Sequence, residues 1–299
     1  MRTDISFESR GETCRGWLYL PDGRSPSDRH PAIVMAHGFS AVKEMYLDKF
    51  AERFCSDGFA VTVFDFRYLG ESSGEPRGQV NPYDQHEDFR NAISWTCQRP
   101  EVDPDRIAIW GSSFSGGHAL FLSAFDRRIK AAVAQVPAIS GWRGALMAGM
   151  KPMLQQVLAE RANERTARFG SGEVVYRPVV GAPGSPAVLA TLDSYEWFPK
   201  AAARAPSWIN RVDLDSTDAM MGYDPAGPIE LISPTPLMIV AAERDSLIPI
   251  ALVREAFERA GEPKALHVLD CGHFDIYDTE PWYTEAADLE AGWFRQHLM

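Results

Sequence analysis

The chain has 299 residues with 45% hydrophobic and 24% charged side chains, proportions of a folded globular protein that exclude disorder or a fibre. Its net charge of −11 leaves no basic footprint for nucleic acid or anionic lipid, and the acidity reads as solubility. The four cysteines, Cys14, Cys55, Cys97 and Cys271, have no CxxC spacing, so zinc ribbons and redox pairs are out and reduced thiols are expected. The opening residues lack the apolar core of a signal peptide, and no apolar run approaches the ~18 residues of a membrane span, so a cytoplasmic location is expected.

In chain order, residues 2–9 and 13–20 predict an antiparallel pair turned at Arg10-Gly11-Glu12. Pro31 to Ala36 is a short unbroken apolar run, as in a strand buried on both faces. A helix over about 43–57 follows, stopped at Gly58, then a strand from Phe59 to Phe64 and a helix from Asp84 to Cys97. After the turn Asp103-Pro104-Asp105 come a strand from Arg106 to Trp110, a helix over 114–124 and a strand over 130–136. Pro236–Ala242 and Ala265–Leu269 are the last strands, with helices near 250–260 and 284–298.

This alternation predicts an α/β fold: a mostly parallel twisted sheet flanked by helices. The stretch 138–229 breaks the rhythm, with helical patterns at 143–168 and 191–205 around the Gly/Pro-rich run Gly170 to Pro186. Within that run Glu173 to Val180 reads as extended. About ninety residues is too long for a plain crossover, so the expected organisation is a core of 1–137 and 230–299 with a mainly helical lid at 138–229.

The strongest chemical signal is Ile107-Ala108-Ile109-Trp110-Gly111-Ser112-Ser113-Phe114-Ser115-Gly116-Gly117. It sets Ser113 on a sharp turn between a strand and a helix, the arrangement that exposes a nucleophile above a sheet edge. Small residues are needed two positions either side; Gly111 supplies one, and Ser115 replaces the usual second glycine. His37-Gly38-Phe39-Ser40 ends the first buried strand, where the N–H groups of Phe39 and Phe114 can converge as an oxyanion hole. His37 is read as a brace of that loop rather than a base. Asp245 and His273 each follow a strand end, giving the chain order Ser, Asp, His.

Competing residues have plainer readings. Glu243 is a rim charge, Asp270 and Asp275 are turn formers or solvated, and Cys271 is a small apolar filler. His118 is expected to be packed and His86 exposed, while His30, His267 and His297 carry no motif.

These motifs, with Gly16-Trp17-Leu18-Tyr19-Leu20-Pro21, Asp65-Phe66-Arg67-Tyr68-Leu69-Gly70-Glu71-Ser72, Asp105-Arg106-Ile107 and Gly272-His273-Phe274, give the chain a pattern that resembles the α/β-hydrolase superfamily. The resemblance is to its dienelactone-hydrolase-like and Xaa-Pro-peptidase-like (S15) branch and covers nearly all the core. It implies the α/β-hydrolase fold and relatives that include esterases, lactonases, thioesterases and polyketide-type acyltransferases. Ser113 departs from the cysteine of dienelactone hydrolase and the aspartate of haloalkane dehalogenases. In such relatives Arg67 pairs within the core.

The expected activity is a serine hydrolase cleaving an ester, lactone or thioester of a small to medium hydrophobic substrate. Acyl transfer and Xaa-Pro-like peptide cleavage are the alternatives. Trp142, Trp197 and Trp208, with Tyr195, Phe198, Met147, Met150 and Met153 nearby, are the candidates for an apolar acyl pocket. The expected partner is a small-molecule acyl substrate, with no nucleic acid and no membrane, and either a monomer or a homodimer. No step calls for a metal or an organic cofactor.

Overall fold

The computed structural model describes residues 1–22 and 29–299. Strands β1 (Arg2–Ser9) and β2 (Glu12–Tyr19) form the antiparallel pair, and the turn between them places Arg10 and Gly11 at positive φ. β3 (His30–Ala36) is buried at every position, as its unbroken apolar run requires. Helix α1 (Leu47–Ser56) buries Leu47, Phe50, Ala51 and Phe54, one stripe of a 3.6-residue period, each Phe contributing ~2–3 kcal/mol of burial. It begins four residues later than its predicted start, because Ser40 and Tyr46 take left-handed backbone and the loop between them does other work.

β4 (Ala60–Phe64) precedes α2 (Pro82–Cys97), which Asn81 caps by accepting the Tyr83 N–H and which Pro82 starts. β5 (Val102–Ser112) is longer than predicted, because the Asp103-Pro104-Asp105 turn lies within it as an irregularity in register against β3. α3 (Phe114–Phe125) and β6 (Ile129–Gln135) follow.

The expected helix at 143–168 is two: α4 (Arg143–Met147) and α5 (Lys151–Arg168), separated where Gly149 turns to positive φ. Within the expected extended run Val180 makes an isolated parallel bridge to Leu189, and Tyr176–Arg177 forms β7, which pairs with β8 (Val212–Asp213). Between them lies α6 (Leu192–Ala202). α7 (Leu214–Gly222) was not expected; its start is fixed by Asp213, whose carboxylate accepts the Ser216 N–H at 2.6 Å. A short 3₁₀ turn (Ile229–Leu231) leads to β9 (Leu237–Ala242), α8 (Ile250–Arg259), β10 (Lys264–Leu269), the one-turn α9 (Asp275–Asp278) and α10 (Trp282–Leu298).

Eight strands make one sheet in the order β1-β2-β4-β3-β5-β6-β9-β10. β1 and β2 run antiparallel to their neighbours, and every pair from β4 to β10 is parallel. The chain goes from β3 outward to β4, then returns across β3 to β5, so the strand order reverses between β3 and β5. Crevices at the carboxyl ends of such a reversal are where open α/β sheets hold ligands. Among the described residues no helix is long and apolar enough to cross a membrane.

Two buried polar sets tie this frame. Arg67 donates to Asp88 through Nε (2.9 Å) and Nη2 (2.6 Å), and Ser9 Oγ donates to the same carboxylate, so Arg67 pairs inside the core as expected. His86, expected to be exposed, is buried. Its ring stacks on Phe121 at 4.4 Å and its Nε2 lies 2.7 Å from the Tyr223 hydroxyl. Residue 223 comes from a part of the chain whose fold the local pattern of α2 does not reveal.

Candidate active site

β3 and β5 end side by side, which brings the loop after Ala36 against the turn after Ser112. Ser113 occupies φ 57°, ψ −116°, a conformation side chains rarely take and one that marks functional turns. Its neighbours hold it there: the Ser113 N–H donates to the Gln135 carbonyl (2.9 Å), and its own carbonyl accepts from Gly117 and Ala138. Gly111 is required because a Cβ there would stand 2.0 Å from the Ser115 carbonyl oxygen. The serine at 115 has a local reason too. Its hydroxyl donates to the Ala36 carbonyl at 2.5 Å and accepts the Ser112 N–H, stitching the elbow to the end of β3.

His273 Nε2 lies 3.1 Å from Ser113 Oγ, and His273 Nδ1 lies 2.7 Å from Asp245 Oδ2. Because a carboxylate only accepts, Nδ1 carries the proton and Nε2 is left to accept the serine hydroxyl. The other Asp245 oxygen accepts the Leu247 and Ile248 N–H groups, both at 2.8 Å, which fixes the carboxylate's aim. The side chains of His273 and Asp245 are only 1% and 3% exposed, so their mutual attraction is little screened by water. The serine named from the turn motif and the acid and histidine named from their strand ends are thus brought into one hydrogen-bonded line.

Gly38 is pressed against the side chain of Ser113: a Cβ there would sit 2.8 Å from Ser113 Cβ. The next residue, Phe39, and Phe114 after the serine stand with their rings 5.8 Å apart, edge to face. Phe114 opens α3, where the first N–H groups have no carbonyl within the helix to bond. His37 braces the loop as expected: Nε2 donates to the Met45 carbonyl at 2.8 Å and Nδ1 accepts the Gly38 N–H at 2.7 Å. Burial pushes it down to about 4, so the ring is neutral near pH 7.

Beneath the elbow lies a layer that motif reading missed. Gln135 Nε2 donates to Ser112 Oγ at 2.9 Å, and Ser112 Oγ is 2.6 Å from the Tyr277 hydroxyl. The Tyr277 ring stacks on His37 at 5.2 Å. Farther along the loop after β3 Lys43 is fully buried, its ammonium donating to Glu44 (2.8 Å), Asp65 (2.9 Å) and Glu71 (2.7 Å). Burial opposes its charge, yet these carboxylates outweigh burial and hold Lys43 above its usual range. The cluster of Glu44, Asp65 and Glu71 is therefore already served by a cation of the chain itself. No local pattern in the sequence signals this cluster, because Asp65 and Glu71 lie more than twenty residues from Lys43.

The expected competitors fall where their chemistry puts them. Asp275 accepts the Gly272 N–H and shapes the histidine turn, Asp270 pairs with Arg244 at the surface, and Glu243 pairs with Arg254 at the rim. Cys271 is buried, its thiol pushed up to about 12 by burial first and by nearby carboxylates such as Asp275 second. His118 is packed under Phe114, ring to ring at 4.8 Å.

The three tryptophans go to different places. Trp197 is buried in a stack with Phe274 (4.9 Å) and leans on His37 (6.0 Å). Trp208 donates Nε1–H to the Ser40 carbonyl at 2.9 Å. Trp142 is more than a third exposed and lines a groove of about 440 Å³ with Leu154, Leu158, Ala162 and Met221, whose walls include none of Ser113, Asp245 or His273.

Comparison with known proteins bears on the fold and the family. The X-Pro dipeptidyl-peptidase (S15) family profile matches residues 17–208. The quorum-quenching protein AidA of Acinetobacter baumannii is 30% identical over 275 residues, 92% of this chain and 88% of that one. A thiohydrolase of Eupenicillium brefeldianum is 31% identical over 285 residues, 92% and 88% of the two chains. The crystal structure of the α/β hydrolase GrgF from Penicillium superposes with a TM-score of 0.84 at 29% identity, covering 100% of this chain and 99% of that one. With the sheet order and the family match in agreement, the chain belongs to the S15 family and is a hydrolase of the α/β-hydrolase fold.

Proposed function

We propose that this hydrolase cleaves a carboxylic ester, lactone or thioester of a small to medium hydrophobic acyl group through an acyl-enzyme on Ser113. The observation that carries the reading is the line Ser113 Oγ, His273, Asp245 at 3.1 and 2.7 Å. His273 Nε2 takes the hydroxyl proton as Ser113 Oγ bonds to the acyl carbon, and Asp245 steadies the imidazolium. The Phe39 and Phe114 N–H groups receive the negative charge that develops on the carbonyl oxygen. Imidazolium then protonates the departing alkoxide or thiolate. Water, giving its proton to His273, attacks the acyl-enzyme and frees Ser113 with a carboxylic acid.

The segment 138–229 is read as the lid over this site. Two contacts support that role. Ser246, next to the acid, donates to Asp193 of α6 at 2.7 Å, and Arg143 of α4 pairs with Glu255 of α8 at 2.7 Å. The name of the relative thiohydrolase favours a thioester substrate over a peptide. A second reading, acyl transfer to an alcohol or thiol, draws support from the relative grgF of Penicillium, named a polyketide transferase and 32% identical over 276 residues.

A fluorophosphonate probe tests the nucleophile: wild type is labelled on Ser113, Ser113→Ala is not, and an unlabelled wild type sinks the reading. Product analysis with an added alcohol then separates hydrolysis from transfer, and an Xaa-Pro amide separates both from peptidase action.

A further inference from the structure

The oxyanion loop is bent in a costly way. The Ala41 N–H bonds back to the Gly38 carbonyl at 3.2 Å, closing a tight turn with Phe39 and Ser40 at its centre. Ser40 sits at φ 55°, and Tyr46, where the loop enters α1, sits at φ 72°. Neither is glycine, so both left-handed residues need support from outside the loop.

That support comes from one stretch of the lid segment. Trp208 Nε1–H donates to the carbonyl of Ser40, the strained residue itself, at 2.9 Å. Arg204 pairs with Asp48 of α1 at 2.6 Å and lies 4.8 Å over the Tyr46 ring. Trp197 packs its ring 5.8 Å from Tyr46 and 6.0 Å from His37. Both ends of the 37–46 loop are thus held from residues 197–208. The cleft between Trp208 and Val42, Leu69 and Ile209 encloses only about 10 Å³, too little for an acyl group. Trp208 therefore has no room to serve as a pocket wall on that side.

We propose that Trp208 is a positioning residue: its indole N–H, by fixing the Ser40 carbonyl, holds the Phe39 N–H at the angle that receives the oxyanion. The lid segment then does more than cover the substrate; it completes one of the two oxyanion donors. The inference rests on the hydrolytic reading of Ser113, and its test has one arm that does not.

Trp208→Phe keeps an aromatic ring against Phe198, now 5.5 Å from the indole, and removes the donor. Replacing Trp208 with its benzothienyl isostere, sulfur in place of N–H, removes only the donor. In the activity-independent arm, hydrogen exchange at the amides of residues 38–41 speeds up in both variants while the melting temperature stays close to wild type. Unchanged exchange there overturns the proposal whatever the activity.

In the kinetic arm kcat on an aryl ester falls roughly tenfold with KM within about twofold, less than the loss from deleting a donor outright. A boronic acid that forms a tetrahedral adduct on Ser113 weakens by the same factor. A rise in KM with kcat intact marks a pocket wall and overturns positioning. If exchange responds but wild type neither hydrolyses esters nor takes the fluorophosphonate, the grip on the loop stands and the hydrolase reading of Ser113 is what fails.

Discussion

The corner where β3 and β5 end and the α4–α5 hairpin are built on opposite terms. At the corner Ser112, Ser115, Gln135, His37 and Tyr277 are all buried, and each makes at least one internal hydrogen bond. In α5 none of eighteen residues is buried, and Met153 and Leu158 are each about half exposed. Buried polar networks are rigid because every partner lost leaves a desolvated group behind. An exposed apolar face carries no such penalty and is free to fit what lands on it. The geometry around Ser113 is therefore fixed by one region, and the other presents an unfilled apolar groove.

The comparison breaks first at Gly38. An added methyl would meet Ser113 Cβ at 2.8 Å and the Ser112 carbonyl at 3.1 Å, so either Ser113 or the turn at residues 38–41 must move. Gly38→Ala is expected to lower kcat/KM by about 100-fold or more, the scale of losing an oxyanion donor, and to destabilise by about 1–3 kcal/mol. Steady-state kinetics beside a denaturant titration check both. Near-wild-type kcat would mean the corner is more pliable than its packing implies.

How much of this was legible in the sequence follows the range of the interactions. The strands were readable because each buries itself by its own run, as Pro31 to Ala36 does. Ser113, Asp245 and His273 were readable because strand ends deliver them in a fixed order. Residues whose state depends on a distant partner were not. His86 looks exposed until Tyr223 and Phe121 arrive, Lys43 has no role without Asp65 and Glu71, and the Trp208 bond to the Ser40 carbonyl joins residues 168 positions apart. The α1 start was misplaced for the same reason: Ser40 and Tyr46 are held left-handed by side chains more than a hundred residues away.

A slower test of the same rigid frame is pH. Glu290 of α10 is fully buried; one oxygen accepts Trp110 Nε1–H of β5 at 2.9 Å and the other has no protein partner among the described residues. Burial pushes its carboxyl up to about 8, only partly countered by the Trp110 bond. The folded chain thus keeps a proton that the unfolded chain, titrating near 4.5, has already released. Stability from this group is full below pH 4.5 and is lost as pH rises toward about 8, on the order of a few kcal/mol across the window. Glu290→Gln should flatten that slope and melt higher than wild type above pH 8. Parallel melting curves from pH 5 to 9 would show that the carboxyl is ionised in the fold.

The smallest expected effect lies on the open side. Leu158 is about half exposed and helps line the groove with Trp142, Leu154 and Met221, so replacing it takes little from the core. Leu158→Ser should change stability by no more than about 0.5 kcal/mol, as surface substitutions do. If the hairpin receives the acyl chain, KM should rise several-fold for an octanoyl ester and stay unchanged for the acetyl ester, with kcat on both preserved. The reason is that a short acyl group is held only at the rigid corner, whereas a longer one must reach the exposed apolar face to lose its water. Equal effects on both esters would place the acyl site elsewhere, and a large loss of stability would show that α5 belongs to the frame after all.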